Sequence, residues 1–285
     1  MKEAFEKALF FEISQWENSK LREAAQYAIE GEAKRIRPII SLMIAKELDV
    51  DYENYHPMIA LELAHTSSLI LDDLPCMDDA TLRRNKKALH LCYNEQEALL
   101  VAVGLISESF MQLRLGADKL KDCGSNNSRF EILSQALKYT ASAGGLSGAP
   151  LGQWMDLTIS STNTYPLEVL MQKKTGVFFE SAFVLGWLFG NGALERLPQV
   201  VEAANVFGIL FQVMDDFIDL QEDALERPFA NFVLKQGVAD SLDYLEKQKE
   251  RLSALLEDLC LFKLRQALLE PLEHLLSMHR STPHC

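Results

Sequence analysis

Strand signals are nearly missing from this sequence. It has no run of alternating valine, isoleucine and threonine between turn residues, and none of the two-residue glycine hairpins that join antiparallel strands. A sheet-built fold is therefore excluded, and helices remain. Positive charge is also scarce. Lysine and arginine number 28 against 41 aspartates and glutamates, a net charge of -13, which argues against a nucleic-acid partner because binding a phosphate backbone needs a dominant positive surface. Cys76, Cys92, Cys123, Cys260 and Cys285 form no C-x-x-C pair. No disulfide framework or structural zinc is expected, and an odd set of thiols reads as reduced, in a cytoplasmic setting. The opening MKEAFEKALFFEIS carries glutamates through what would be the apolar part of an export signal. The most apolar long segment, VFFESAFVLGWLFGNGAL, is interrupted by Glu180, Ser181 and Asn191. It reads as a buried helix, and no stable membrane insertion is expected.

What the sequence does have is helical periodicity. It predicts helices near 2–17, 19–31, 36–48, 57–73, 95–115, 128–144, 166–190, 197–220, 238–258 and 260–278. Turn chemistry separates them at RPI (37), LPCMDD (74), DCGSNNS (122), SSTNTYP (160), NGALERLP (191) and ALERPFANF (224). None of these breaks reads as an interdomain linker and no fixed-period repeat is present, so a single domain over 1–285 is expected.

Two of these helices end in carboxylates. In MIALELAHTSSLILDD, Leu61, His65, Ser68 and Asp72 share one face, spaced by threes and fours. Pro75 then stops the helix, and the turn it forces can return Asp78 toward Asp72. In FQVMDDFIDLQED, Gln212, Asp215, Asp216 and Asp219 lie within two turns. Like charges at this spacing repel unless cations occupy the pattern. Hard divalent ions suit it, and Mg²⁺ commonly uses one or two carboxylates, several waters and substrate phosphate oxygens. Three short basic sets, KRIRP (34–38), LRRNKK (82–87) and KKTG (173–176), could supply the cations a phosphate ester needs.

The order of KRIRP, H-x6-DD-x4-D-x4-RR, GQWMDL, KKTG and FQ-x2-DD-x2-D resembles the trans-isoprenyl diphosphate synthases of farnesyl and geranylgeranyl diphosphate synthase type, over residues 34 to 219. The resemblance implies an all-α, single-domain bundle of about ten or more helices around a deep central cavity. It implies that Asp72, Asp73, Asp78, Asp215, Asp216 and Asp219 hold three Mg²⁺ against an allylic diphosphate, helped by Arg83, Lys174, Thr175 and Gln212. It assigns Lys34, Arg37, His65 and Arg84 to the diphosphate of isopentenyl diphosphate. A homodimer is expected too, with 98–110 as a candidate face. The residues four and five before Asp72 set product length in such enzymes. Here they are Ser68 and Ser67, small enough to favour C20 over C15 unless a bulky residue near Ile106 or Phe110 closes the path.

The pattern is broken in several places. Glu32 and Ala33 replace an expected glycine pair, Ala80 and Thr81 stand where further aspartates are common, and Asn85 replaces a glycine. After Asp219 the familiar Gly-Lys-Thr stretch and its later lysine give way to ALERPFANFVLKQ. These departures keep open a catalytically impaired subunit of a heteromeric synthase, although such subunits commonly lose one aspartate motif. A terpene cyclase has no need of Lys34, Arg37, His65 and Arg84. A diiron bundle would need Glu-x-x-His on facing helices, whereas Glu53-x-x-His56 and Glu62-x-x-His65 are neighbours in sequence. His56 reads as a helix start, and Trp16, Trp154, Trp187 and the phenylalanines of 178–190 read as core.

Overall fold

The computed structural model describes residues 1–120, 128–160, 162–226 and 228–280. The break expected at 122, together with Cys123 and Cys285, lies outside them. The described residues are helical apart from turns and one two-stranded ribbon, and they group into two compact units. The first holds Met1–Ala141 and Leu185–Ala193; the second holds Ser142–Val184 and the described residues from Leu194 onward.

In the first unit α1 (Lys2–Ser14) buries Phe5, Leu9 and Ile13, one side chain per turn. Helix α2 (Lys20–Ile29) starts where the Ser19 hydroxyl accepts from the Arg22 N–H at 3.2 Å. Helix α3 (Ile36–Leu48) follows, then α4 (His56–Asp72). The latter begins at His56, whose Nδ1 lies 2.6 Å from Gln112 Oε1, with Pro57 in the first turn where its missing N–H costs nothing. Leu61, Leu63, Thr66, Ser67 and Ile70 are all buried, so α4 is covered nearly all round. Its main neighbour is α6 (Glu95–Asp118), opened by Asn94 accepting from the Glu97 N–H at 2.8 Å. Between them lie β1 (Leu82–Arg83), β2 (Lys86–Lys87) and the short α5 (Leu89–Cys92). The ribbon, not expected from the sequence, turns on Arg84 and Asn85, both left-handed at φ 53° and 61°. Two successive left-handed residues make the hairpin turn usually given to Asn-Gly, so its signal is easily missed.

Helix α7 (Arg129–Gly144) comes next in the chain, and in the second unit α8 (Ala149–Thr158) packs against a π-helical turn, Gln172–Gly176, that separates α9 (Leu167–Met171) from α10 (Val177–Phe189). A single helix had been expected over 166–190. The extra residue of the π turn lifts KKTG out of the regular helical rows. Helix α11 (Leu197–Ile218) packs on this turn and on α14 (Val238–Asp258), which packs on α15 (Phe262–Arg280). Short helices α12 (Leu220–Glu226) and α13 (Phe232–Gln236) follow the second aspartate set. Phe179 meets Phe207 edge to face at 4.9 Å between ring centres, and Phe179 and Phe183 are fully buried. Such a pair contributes about 0.5–1.5 kcal/mol beyond its burial. Trp187 is core, as expected, but Trp154 is 55% exposed, because it faces away from the side of α8 that meets the π turn. By length and composition alone, α6 and the stretch Leu194–Ile218 could cross a membrane, but each also carries buried residues that pack inside its own unit.

Candidate active site

At the end of α4 the chain turns back as its proline requires. The Asp78 N–H donates to the Asp72 carbonyl at 2.9 Å, while the Met77 and Asp79 N–H groups both close on the Leu74 carbonyl. Asp72 is half-buried, Asp78 exposed and Asp73 buried. The Arg83 guanidinium grips Asp73, with Nε 2.9 Å from Oδ1 and Nη2 on the same oxygen. Burial raises the Asp73 carboxyl pKa, opposed by Arg83. These carboxylates stand at the negative end of the α4 dipole, where a cation is needed to offset them.

Two arginines of the first unit, Arg35 and Arg84, share one acid. Glu62, 1% exposed, accepts from Arg35 Nη1 and from Arg84 Nη2, the latter at 3.0 Å. Arg35 Nη2 also donates to the Ile29 carbonyl at 2.7 Å. Arg84 Nη1 donates to the Ala28 and Ile29 carbonyls, both at 3.1 Å. Two guanidinium groups thus share a buried carboxylate and the last carbonyls of α2. Both arginines have φ 53°, a strained conformation for a residue with a Cβ, which the triad holds in place. Arg84 was expected to face a substrate; here its guanidinium is drawn inward. At Gly31, with φ 123°, a Cβ would stand 3.2 Å from the Arg84 Cβ, so a side chain there would be both strained and crowded. Arg37 Nη1 lies 3.1 Å from His65 Nε2. Desolvation, then Arg37, Arg84, Arg83 and Arg35, push the His65 pKa well below its ordinary value. The ring is neutral, and since Arg37 donates to Nε2 its proton sits on Nδ1. Lys34 is exposed beside this group. The two departures Glu32 and Asn85 bond to each other, Nδ2 to Oε2 at 2.9 Å. Asn85 serves at φ 61° where glycine is usual, because asparagine tolerates that region best among residues with a side chain.

In the second unit the motifs connect in series. Lys174 Nζ pairs with Asp156 of GQWMDL. The Thr175 hydroxyl donates to Gln212 Oε1 at 2.9 Å, and Gln212 Nε2 donates to Asp216 Oδ1 at 3.0 Å. The Phe232 N–H donates to Asp216 Oδ2 at 2.7 Å. Both oxygens of Asp216 are therefore engaged, and the residue is 4% exposed. Of the six aspartates it is one of two that are buried, and burial pushes its pKa up to about 6 against the pull of Phe232 and Gln212. Asp215 is half-buried and Asp219 exposed. Asp156, Lys174, Thr175, Gln212, Asp216 and Asp223 line a cavity of about 100 Å³. The π turn is what brings Lys174 and Thr175 to it, and Gly152 is what lets α8 reach the turn: a Cβ there would stand 2.3 Å from the Lys174 backbone nitrogen.

The sequence of these motifs matches the polyprenyl synthetase family model over residues 18–230. The chain belongs to this family. Among its relatives, heterodimeric geranylgeranyl pyrophosphate synthase large subunit 2 of Arabidopsis thaliana is 35% identical over 272 residues, covering 90% of this chain and 68% of the relative. Geranylgeranyl pyrophosphate synthase 7, chloroplastic, of the same plant is 34% identical, covering 90% and 74%. Among solved structures, an FPP/GFPP synthase from Zymomonas mobilis superposes with TM-score 0.80 at 25% identity, covering 94% of this chain and 95% of that one. A geranyltransferase from Helicobacter pylori, determined with magnesium and isoprenyl diphosphate, gives TM-score 0.78 at 27% identity over 96% of both chains. The all-α isoprenoid synthase fold is thereby established for this polyprenyl synthetase.

The residues present suit magnesium. Among the described residues no three His, Cys, Asp or Glu side chains converge into a closed metal cage. A hard ion that keeps its waters and takes one or two carboxylates with phosphate oxygens needs no such cage. Asp72, Asp78, Asp215 and Asp219 are the more accessible oxygen donors. The two serines above Asp72 separate. Ser67, 1% exposed, donates to the Ala102 carbonyl of α6 at 2.9 Å, whereas Ser68 is half-buried and donates to the His65 carbonyl at 2.9 Å. On α6 the buried residues include Ala98, Val101, Ala102 and Leu105, and Ile106 is 40% exposed.

Proposed function

We propose that this polyprenyl synthetase condenses isopentenyl diphosphate with an allylic diphosphate, giving a short-chain trans-prenyl diphosphate with C20 favoured over C15. The observation that carries the reading is the pairing of chemistry at two helix ends: carboxylates at the C-termini of α4 and α11, with Arg83 on Asp73 at the first and Lys174 lining one cavity with Asp216 at the second. Asp72, Asp73, Asp78, Asp215, Asp216 and Asp219 serve the magnesium sites, with Asp73 and Asp216 orienting the others from buried positions. Magnesium, when bound, supplies the charge that stabilises departing pyrophosphate. Arg83, Lys174, Thr175 and Gln212 orient the allylic diphosphate. Lys34, Arg37 and the neutral His65 bind the diphosphate of isopentenyl diphosphate, and Arg84 adds its charge from behind Glu62. The apolar cavity of such a site keeps water from the allylic cation until the isopentenyl double bond attacks it. The geranylgeranyl pyrophosphate synthase names of the plant relatives support C20.

A homodimer through α6 belongs to the same proposal, supported by the exposed Leu99, Leu100, Val103 and Ile106. So does a reducing, cytoplasmic setting, supported by the free thiols of Cys76, Cys92 and Cys260. The deciding experiment is incubation of the purified protein with labelled isopentenyl diphosphate and C5, C10 and C15 acceptors. A labelled chain of C15 to C20 is expected. Cyclised hydrocarbon would mark a cyclase, and no product with any acceptor would mark a non-catalytic subunit.

A further inference from the structure

The stretch after Asp219 lacks the lysine-bearing pattern of the resembled synthases, and what stands there instead is a buried asparagine. Asn231 is 1% exposed, and every polar atom of its side chain is used. Its Nδ2 donates to the Asp216 carbonyl and to Asp223 Oδ2, each at 2.9 Å. Its Oδ1 accepts from the Leu234 N–H at 2.9 Å and so caps α13. The Asp216 carbonyl is one of the last carbonyls of α11, which the helix itself leaves without a partner. The next residue, Phe232, gives its N–H to Asp216 Oδ2 at 2.7 Å. One residue thus ties down the backbone of Asp216, a neighbouring acid and the start of the helix whose first N–H holds the Asp216 carboxylate.

We propose that Asn231 is a positioning residue for the second aspartate set: by fixing both the carbonyl and the carboxylate of Asp216, it sets the rotation of the last turn of α11 and so the direction in which Asp215 and Asp219 present their oxygens. This rests on the magnesium-dependent function proposed above. No other small side chain can take the place of Asn231. Aspartate has no donor, alanine has neither donor nor acceptor, and serine can accept for the cap but has a single donor for two acceptors.

Serine is therefore the informative replacement. Binding of inorganic pyrophosphate is to be measured by calorimetry with and without Mg²⁺, alongside thermal unfolding, for the wild type, Asn231→Ser and Asp223→Ala. The magnesium-dependent affinity of Asn231→Ser should fall about 10- to 100-fold, the usual cost of losing an outer-shell partner. Binding of isopentenyl diphosphate without Mg²⁺ should be unchanged. Asp223→Ala, which removes one of the two acceptors and leaves the cap intact, should show a smaller fall of the same sign, and it carries the test if Asn231→Ser does not fold. Wild-type magnesium-dependent affinity in the folded variants, with or without a lower unfolding temperature, would overturn the proposal, as would an equal loss of isopentenyl diphosphate binding. A wild type that binds no pyrophosphate with Mg²⁺ would instead contradict the proposed function itself.

Discussion

Glu62 compensates two buried guanidinium groups, so removing its charge leaves both exposed to each other in a medium that screens them poorly. Glu62→Gln keeps the shape and an acceptor but loses the charge. The expected cost is about 3–5 kcal/mol, as for breaking a buried ion pair. Urea unfolding measures it, and a change below about 1 kcal/mol would show that Arg35 and Arg84 do not depend on this acid. His65 gives a pH signature. Its folded pKa is depressed below the unfolded value of about 6.5, so between the two the unfolded chain binds a proton the folded chain refuses. Stability is therefore lost as pH falls through about 6.5. The drop in urea midpoint between about pH 7.5 and pH 5 should be smaller in His65→Gln than in the wild type, and an equal drop would contradict a depressed His65. Ser68 and Ser67 separate the two ways of blocking a growing chain. Ser68→Phe should shorten the product from C20 to C15 or C10 while the protein stays folded. Ser67→Phe must displace Ala102 and should lose about 1–3 kcal/mol by overpacking. An unchanged product from Ser68→Phe would show that the tail does not pass this face.

At the scale of elements, the helix periods and the turn after Pro75 were legible, since apolar spacing and proline act locally. The return of Asp78 to the Asp72 carbonyl is a direct consequence of that proline. The π turn was not legible, because one extra residue leaves the apolar period of 166–190 almost intact. Nor was the ribbon, whose left-handed turn is made by Arg84 and Asn85 in place of the usual glycine. Glu62 was visible only as half of a Glu-x-x-His pattern; its true partners come from residues 35 and 84, brought in by the fold. Asn231 likewise gains its meaning from Asp216, 15 residues away. Gly152 tests the π turn at this scale. Gly152→Ala puts a methyl into the backbone of Lys174, so the turn must move, with about 1–3 kcal/mol lost and a higher requirement for the allylic diphosphate than for isopentenyl diphosphate. A fully stable and active Gly152→Ala would mean that the close approach has no consequence.

For the whole molecule, a net charge of -13 coexists with two substrates that are themselves anions. Productive binding therefore depends on where the few cations stand rather than on the overall field. Arg83 stands on Asp73 of the first aspartate set and Lys174 lines one cavity with Asp216 of the second, in a chain of the polyprenyl synthetase family. The dependence of condensation on both aspartate sets is the claim on which the rest stands. The measurement is initial rate against Mg²⁺ concentration, with labelled isopentenyl diphosphate and a C15 acceptor, for the wild type, Asp72→Ala and Asp215→Ala. The expected result is a magnesium-dependent rate in the wild type and the loss of most of it in each variant, with higher Mg²⁺ restoring little. Near-normal turnover in either variant would contradict it.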